Sequence, residues 1–242
     1  MKKAVLVIEY SGREYCGFAR QKNGLSVAQV LEEAWYKLTD EKIKLVCAGR
    51  TDAGVSAKDQ HAHFETDTKI PVGKIAFALN SVLPDDIRVI DSFEAEDDFH
   101  ARYSAKSKHY RYTILNRPHN SAIYGSTVWH VPGRLNIEAM KREIVFFEGT
   151  HDFSAFMAAG SQTKTTVRTI YRAQLTQDGD LIYLDFWGNG FLYNMVRIMA
   201  GTLVYVGQGK IKNIEELIKS KDRKRAGKTA PPQGLMLMKV EY

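Results

Sequence analysis

Apolar positions along the chain fall into short alternating runs and longer stretches at helical spacing, and the order of the two kinds predicts the elements. Residues 4–10 form an apolar run closed by Ser11-Gly12, which reads as a strand and a turn. Val27, Val30, Leu31, Ala34, Trp35 and Leu38 then recur at helical spacing behind Ser26-x-x-Gln29, a capping-box pattern, so a helix begins at Ser26 and closes at Thr39-Asp40. Strand signals follow at 43–48 and 60–67. A helical stretch over 73–83 is stopped by Pro84, and 87–93 alternates as a strand. The first part of the chain therefore reads β-α-β-β-α-β.

The remainder follows the same order without a residue-by-residue repeat. A strand over 108–115 precedes a helix over 136–147, in which Ile137, Met140, Ile144 and Phe147 line one side. Strands at 166–176 and 181–187 are joined through Gln177-Asp178-Gly179-Asp180, a hairpin signal. Helices over 191–206 and 213–220 and a last strand over 235–240 complete the pattern. The expected fold is α+β: two tandem ferredoxin-like (split β-α-β) halves, 1–104 and 105–242, forming one extended, mainly antiparallel sheet with helices on one face. The other face and a cleft where the halves meet are left for a ligand.

Composition narrows the ligand. The formal net charge is +6 and the sequence pI about 9.1, which favours an acidic partner, nucleic acid first and an anionic membrane surface second. Only two cysteines occur, Cys16 and Cys47. A disulfide framework is thereby excluded, and a reducing compartment suits the chain. The opening Met1-Lys-Lys-Ala-Val-Leu-Val-Ile8 imitates a signal peptide, but Glu9 cuts it short and no segment approaches a membrane span in length. The expectation is a cytoplasmic protein with no membrane association.

Candidate chemistry centres on residues 45–57, Leu-Val-Cys-Ala-Gly-Arg-Thr-Asp-Ala-Gly-Val-Ser-Ala. An apolar run delivers the chain into a loop in which Gly49 and Gly54 bracket Asp52, so that one carboxylate is presented on a turn. Arg50 can fork around a carboxylate or a phosphate. The plainer reading is a strand-to-turn connection in which Asp52 bonds its own backbone. In Phe99–Tyr112, an extended conformation puts Lys106, Lys108, Tyr110 and Tyr112 on one face, cations beside rings, a combination suited to RNA phosphates and splayed bases. A half-buried strand with its tyrosines in the core is the alternative. Arg197, set among Val196, Ile198 and Met199, calls for a carboxylate, with Asp52 the nominated partner, unless it lies on the solvent edge of its helix. A basic segment, Lys219 to Lys228, reads as a phosphate clamp or a solvated loop.

Three other readings are set aside on the residues. Gly49-x-x-x-x-Gly54-Val55-Ser56 lacks the lysine of a phosphate-binding loop. His61, His63 and Cys47 do not complete a metal ligand set. Asp52 and Asp59 could be a glycosidase pair, but no sequence spacing fixes their separation in space, and the reading ranks low.

Taken together, Cys47-Ala-Gly-Arg-Thr-Asp-Ala-Gly-Val55, Phe99-His-Ala-Arg102, Tyr110-Arg-Tyr112, Asn194-Met-Val-Arg197 and Gly234-Leu235 closely resemble the tRNA pseudouridine synthase A family, in the family's order along essentially the whole chain. The resemblance implies an isomerase that converts uridine to pseudouridine at tRNA positions 38, 39 and 40 in the anticodon stem-loop. It implies base flipping, no cofactor and no metal, and a homodimer that grips tRNA across both subunits in an RNA-binding cleft. By position, Asp52 matches the catalytic aspartate, Arg50 the arginine that helps extrude the uridine, and Tyr110 the tyrosine that packs on the target base. Arg197 matches the arginine that pairs with the aspartate, and Leu235 an apolar wall. Lys106 and Lys108 are the expected phosphate contacts. Ser56 stands where many bacterial members have His, which leaves the local RNA contact and the substrate range open. Asp52 as nucleophile and Asp52 as the base that forms a glycal both remain open. The rival readings are a non-catalytic RNA-binding module, against which the missing aromatic-rich RNP1 pattern counts, and a nucleoside hydrolase.

Overall fold

The computed structural model describes residues 1–22, 24–161 and 163–242. The class is α+β as expected, with a large, mainly antiparallel sheet and, among the described residues, five α-helices. Among the described residues no helix is long and apolar enough to cross a membrane. The chain divides into two compact units, Met1–Lys106 with Leu237–Tyr242, and Ser107–Met236.

In the first unit, β1 (Lys2–Tyr10) lies between β3 (Ser56–Thr66) and β4 (Ile87–Glu94), antiparallel to both, with Val5 opposite His63 on one side and Phe93 on the other. Ala4, Val5, Leu6 and Ile8 are all buried, so this strand is covered on both faces. Helix α1 (Val27–Thr39) starts at the Ser26 cap, whose hydroxyl accepts from the Gln29 amide. The Gln29 side chain turns to Glu33 rather than completing a capping box. The buried stripe of α1 includes Trp35, which meets Phe64 of β3 edge-on at 5.2 Å.

The strand expected over 43–48 contracts to β2 (Val46–Cys47), because the Leu45 amide leaves the ladder to donate to the Glu32 carboxylate on α1. The helix expected over 73–83 is a 3₁₀ turn (Val72–Lys74) followed by α2 (Ile75–Asn80). It stops short of Pro84, since the Asn80 side chain pairs with both backbone groups of Val89 on β4. The last strand, β10 (Leu235–Glu241), returns to this unit, where the Val240 amide donates to Asp59 and the Glu241 carbonyl accepts from the Lys106 amide.

In the second unit, β5 (Ser107–Leu115), β9 (Leu181–Gly188), β8 (Val167–Asp178) and β7 (Gly149–Asp152) neighbour one another in that order. A two-residue strand, β6 (Trp129–His130), runs parallel to the end of β5. Neither β6 nor β7 shows in the hydrophobic pattern. Helix α3 (Ile137–Ile144) continues into a 3₁₀ turn, and α5 (Ile214–Ser220) is capped by Asn213. Helix α4 (Met195–Gly207) is buried along almost its whole length. It begins four residues later than its apolar pattern because Asn194 takes a left-handed backbone, φ +59°.

The segment 227–230 is laid directly on α4. Ala230 donates its amide to the Arg197 carbonyl, and a Cβ on Gly201 would sit 1.8 Å from the Lys228 carbonyl oxygen. Glycine at 201 is therefore required by backbone contact. Alanine is intrinsically better than glycine in a helix by about 1 kcal/mol, yet we expect Gly201→Ala to destabilise the protein by about 1–3 kcal/mol through overpacking. Urea denaturation measures this, and a variant more stable than the wild type would show that 227–230 does not rest on the helix.

Candidate active site

In the first unit, Arg50 and Asp52 share the loop from β2 to β3, Arg50 exposed and Asp52 half-buried. Thr51 between them points inward and its hydroxyl bonds that of Tyr10, 2.8 Å away in the core. Burial pushes the Tyr10 phenol up from its ordinary pKa, so it stays neutral and retains its proton. Beyond Asp52 the chain turns, the Val55 amide returning to the Asp52 carbonyl, with Gly54 left-handed at φ +79°. Gly49 does not take a positive φ, contrary to the expectation of two permissive glycines. Its carbonyl instead accepts from Gln60 at 2.8 Å.

The second permissive position lies elsewhere in sequence. Gly17, φ +105°, passes so close to the loop that a Cβ there would be 2.4 Å from the Thr51 carbonyl oxygen. The Gly54 amide donates to the Tyr15 carbonyl, and the Ser56 hydroxyl accepts from the Gly12 amide at 3.1 Å. Ser56 thus fastens the loop to residues 12–17.

In the second unit, Tyr110 lies on β5, buried, its ring edge-on to Phe191 at 5.1 Å. Tyr112 does not join a stacking surface: it is fully buried, donates its hydroxyl to the Pro231 carbonyl at 2.7 Å, and packs against Gly234. Of the two readings of this strand, the one that places its tyrosines in the core is the one Tyr112 follows. Lys108 is half-buried on the strand, whereas Lys106 is exposed just before it. Leu235, at the start of β10, is buried. Arg197, on the first turn of α4, is half-buried and aimed by two bonds, Nε to the Ala230 carbonyl at 2.8 Å and Nη1 to the Asn194 side chain at 2.7 Å. Asn194 gives up the usual capping bond to make this contact.

Of the basic segment, Lys219 pairs with Glu215, Lys221 with Asp152, and Arg223 holds the Gly227 carbonyl and the Thr229 hydroxyl. Lys224, Arg225 and Lys228 are exposed. Asp59 bonds His61 and the Val240 amide, a structural carboxylate. His63 accepts from the Ala101 amide, and among the described residues no His/Cys/Asp/Glu group is arranged to hold a metal.

One cluster escaped the sequence reading. On the odd face of β5, His109 and Arg111 both bond Asp185 of β9, at 2.6 Å and, in a two-bond fork, at 2.9 and 3.1 Å. His109 stacks on Trp187 at 4.1 Å, and Arg111 lies over the Tyr183 ring. The alternation Tyr183-Leu-Asp-Phe-Trp187 placed Asp185 among these rings; only its partners, more than 70 residues away, were hidden.

An α+β protein that offers one carboxylate on a clamped loop, and an arginine fixed on the first turn of a buried helix, is the class these features define. A family model described as tRNA pseudouridine synthase matches residues 6–104 and 144–242. The chain is 51% identical over 244 residues to tRNA pseudouridine synthase A of Thermoanaerobacter sp. (strain X514), covering 100% of each chain. It is 48% identical over 245 residues to tRNA pseudouridine synthase A of Ruminiclostridium cellulolyticum, again covering 100% of each. Among solved structures, a Cbf5-Nop10-Gar1 complex matches with a TM-score of 0.40 at 14% identity, over 99% of this chain and 58% of that one. The chain belongs to the tRNA pseudouridine synthase family.

The Asp185 cluster makes stability depend on acid. Burial opposes its charge, but the bonds from His109 and Arg111 outweigh this and hold the carboxyl below the ordinary range. With the folded pKa below the unfolded value of about 3.9, the stabilisation is complete above about pH 4 and is lost as pH falls further. Asp185→Asn should destabilise the protein by about 3 kcal/mol at neutral pH, because it strands a partly buried guanidinium. It should also flatten the decline of stability in acid. Denaturation midpoints across an acid series test this, and an unchanged acid limb would contradict it.

Proposed function

We propose that this chain isomerises uridine to pseudouridine in tRNA, at positions 38, 39 and 40 of the anticodon stem-loop, with Asp52 as the catalytic group. The observation that supports the reading is the setting of Asp52. By resemblance it stands where the family has its aspartate, and Thr51 and Val55 near it are buried, so the carboxylate is carried on an anchored stretch of backbone.

The reaction breaks the bond from ribose C1′ to N1, turns the uracil, and joins C1′ to C5. The proton leaves C5 and N1 gains one, with no net addition of water and no change in oxidation level. One ionised carboxylate meets this requirement, either as a nucleophile or as the base that removes a ribose proton. The target nucleotide must first leave its stack, at a cost on the order of a few kcal/mol. In this reading Arg50 fills the space it vacates, Tyr110 packs on the flipped base, and Leu235 walls the pocket. By the same resemblance Arg197, already aimed by Ala230 and Asn194, takes the role of the arginine that pairs with the aspartate. Lys106 and Lys108 neutralise backbone phosphates. The enzyme acts in the cytoplasm as a homodimer that grips one tRNA across both subunits, and it needs no cofactor.

Asp52→Ala should abolish isomerisation and leave tRNA affinity within a small factor of the wild type. Tritium release from tRNA labelled at uridine C5 reads the chemistry, and position-resolved pseudouridine mapping reads the sites. An active Asp52→Ala protein refutes the role of the aspartate. Wild-type protein that binds tRNA yet releases no tritium is an RNA-binding module rather than an enzyme.

A further inference from the structure

A second feature of the second unit lies outside this set of residues. A cavity of about 220 Å³ opens beside β6, the C-terminal end of α4 and the segment 227–230, lined among others by Trp129, His130, Tyr205, Gln208, Lys210 and Lys228. Its volume is below that of a drug-sized pocket and suits a phosphate with part of its sugar. The lining holds two lysines and no carboxylate, and among the described residues neither lysine forms an ion pair.

Both ammonium groups are nonetheless held in place. Lys210 Nζ lies 5.0 Å from the centre of the Tyr205 ring, and Lys228 Nζ lies 4.9 Å from that of Trp129. A ring face orients a cation without cancelling its charge. Two positive charges on the lining of one concave surface favour the entry of an anion, and their placement against ring faces lowers the ordering entropy that binding would otherwise cost. Lys228 is fixed at its backbone as well. Its carbonyl rests on Gly201, the Gly227 amide donates to the Thr202 hydroxyl at 2.9 Å, and Ala230 exchanges bonds with Arg197.

We infer that this cavity binds a backbone phosphate of the RNA substrate, through Lys210 and Lys228. The inference rests on the reading of the chain as a tRNA-acting enzyme and adds a contact that reading does not contain. Because lysine meets phosphate as a point charge, the contact is independent of base sequence. The segment that positions Lys228 is also the one that aims Arg197, so the same backbone serves RNA capture and the arginine of the proposed site.

The test is filter binding of an unmodified tRNA transcript over a series of potassium chloride concentrations, with wild type, Lys210→Gln, Lys228→Gln and the double variant. Both lysines are exposed, so an unchanged melting temperature is expected and is measured alongside. We expect the double variant to bind about five- to tenfold more weakly at 0.1 M salt, and its plot of log affinity against log salt to be shallower by about one. Lys228→Arg should restore most of the affinity, and KM should rise while kcat at saturating tRNA holds. Unchanged affinity and slope in a folded double variant overturn the inference. So does a fall in kcat with the slope unchanged, which would mean that the lysines act only by supporting Arg197. A reduced slope in a protein whose wild type makes no pseudouridine upholds the phosphate site and removes the proposed activity instead.

Discussion

The hydrogen bond between the buried hydroxyls of Tyr10 and Thr51 is the interaction on which the setting of the Asp52 loop depends. A loop residue turned into a core must satisfy its polar atoms there, since an unpaired buried hydroxyl costs on the order of 1–3 kcal/mol. Thr51 finds its partner on β1, a strand covered on both faces. The residues on either side of it are thereby fixed relative to a strand at the centre of the unit's core. Asp52 inherits that rigidity without being buried itself. Gly17 completes the clamp, because only a residue without a side chain allows the second segment to press against the Thr51 carbonyl.

The second unit solves a related problem for a cation. A guanidinium on an otherwise apolar helix cannot be left to choose its direction, and two of its donors are committed locally, one to a backbone carbonyl and one to Asn194. The left-handed residue that starts α4 therefore has a purpose beyond ending the preceding loop: it puts its amide side chain beside Arg197. The same economy appears at Tyr112, where a ring that a strand pattern offers to RNA is spent on holding Pro231 and abutting Gly234, residues that lead directly into Leu235.

How much of this could be read from the residues depends on the range of the forces concerned. Helix α1 and its Ser26 cap, the hairpin between β8 and β9, and strands β1, β4 and β5 follow from signals within a few positions, and all are present. The contraction of β2 does not, because it turns on a carboxylate from α1 taking one amide out of the ladder. Strands β6 and β7 are too short to show a period and exist only because a neighbour pairs with them. A period of two also states which residues share a face and not which face is inward, and for that reason the strand pattern left Tyr112 open between an RNA-facing side and the core. The Asp52 loop was legible as a motif, whereas the glycine that presses on it was visible only as a glycine.

Charge shows the same limit in another form. The formal excess of six positive charges suggests an evenly basic protein, but in the second unit many cations are neutralised where they stand. Arg111 is forked to Asp185, Lys221 is paired with Asp152, and Lys219 with Glu215. Pairs of this kind are electrically silent to a polyanion beyond about a Debye length, near 8–10 Å in physiological salt. What a polyanion senses is the remainder, the cations with no carboxylate beside them. Lys210 and Lys228 belong to it, each resting on an aromatic ring that leaves its field intact. The placement of acids, more than the number of bases, therefore decides where a phosphate backbone is drawn to this unit.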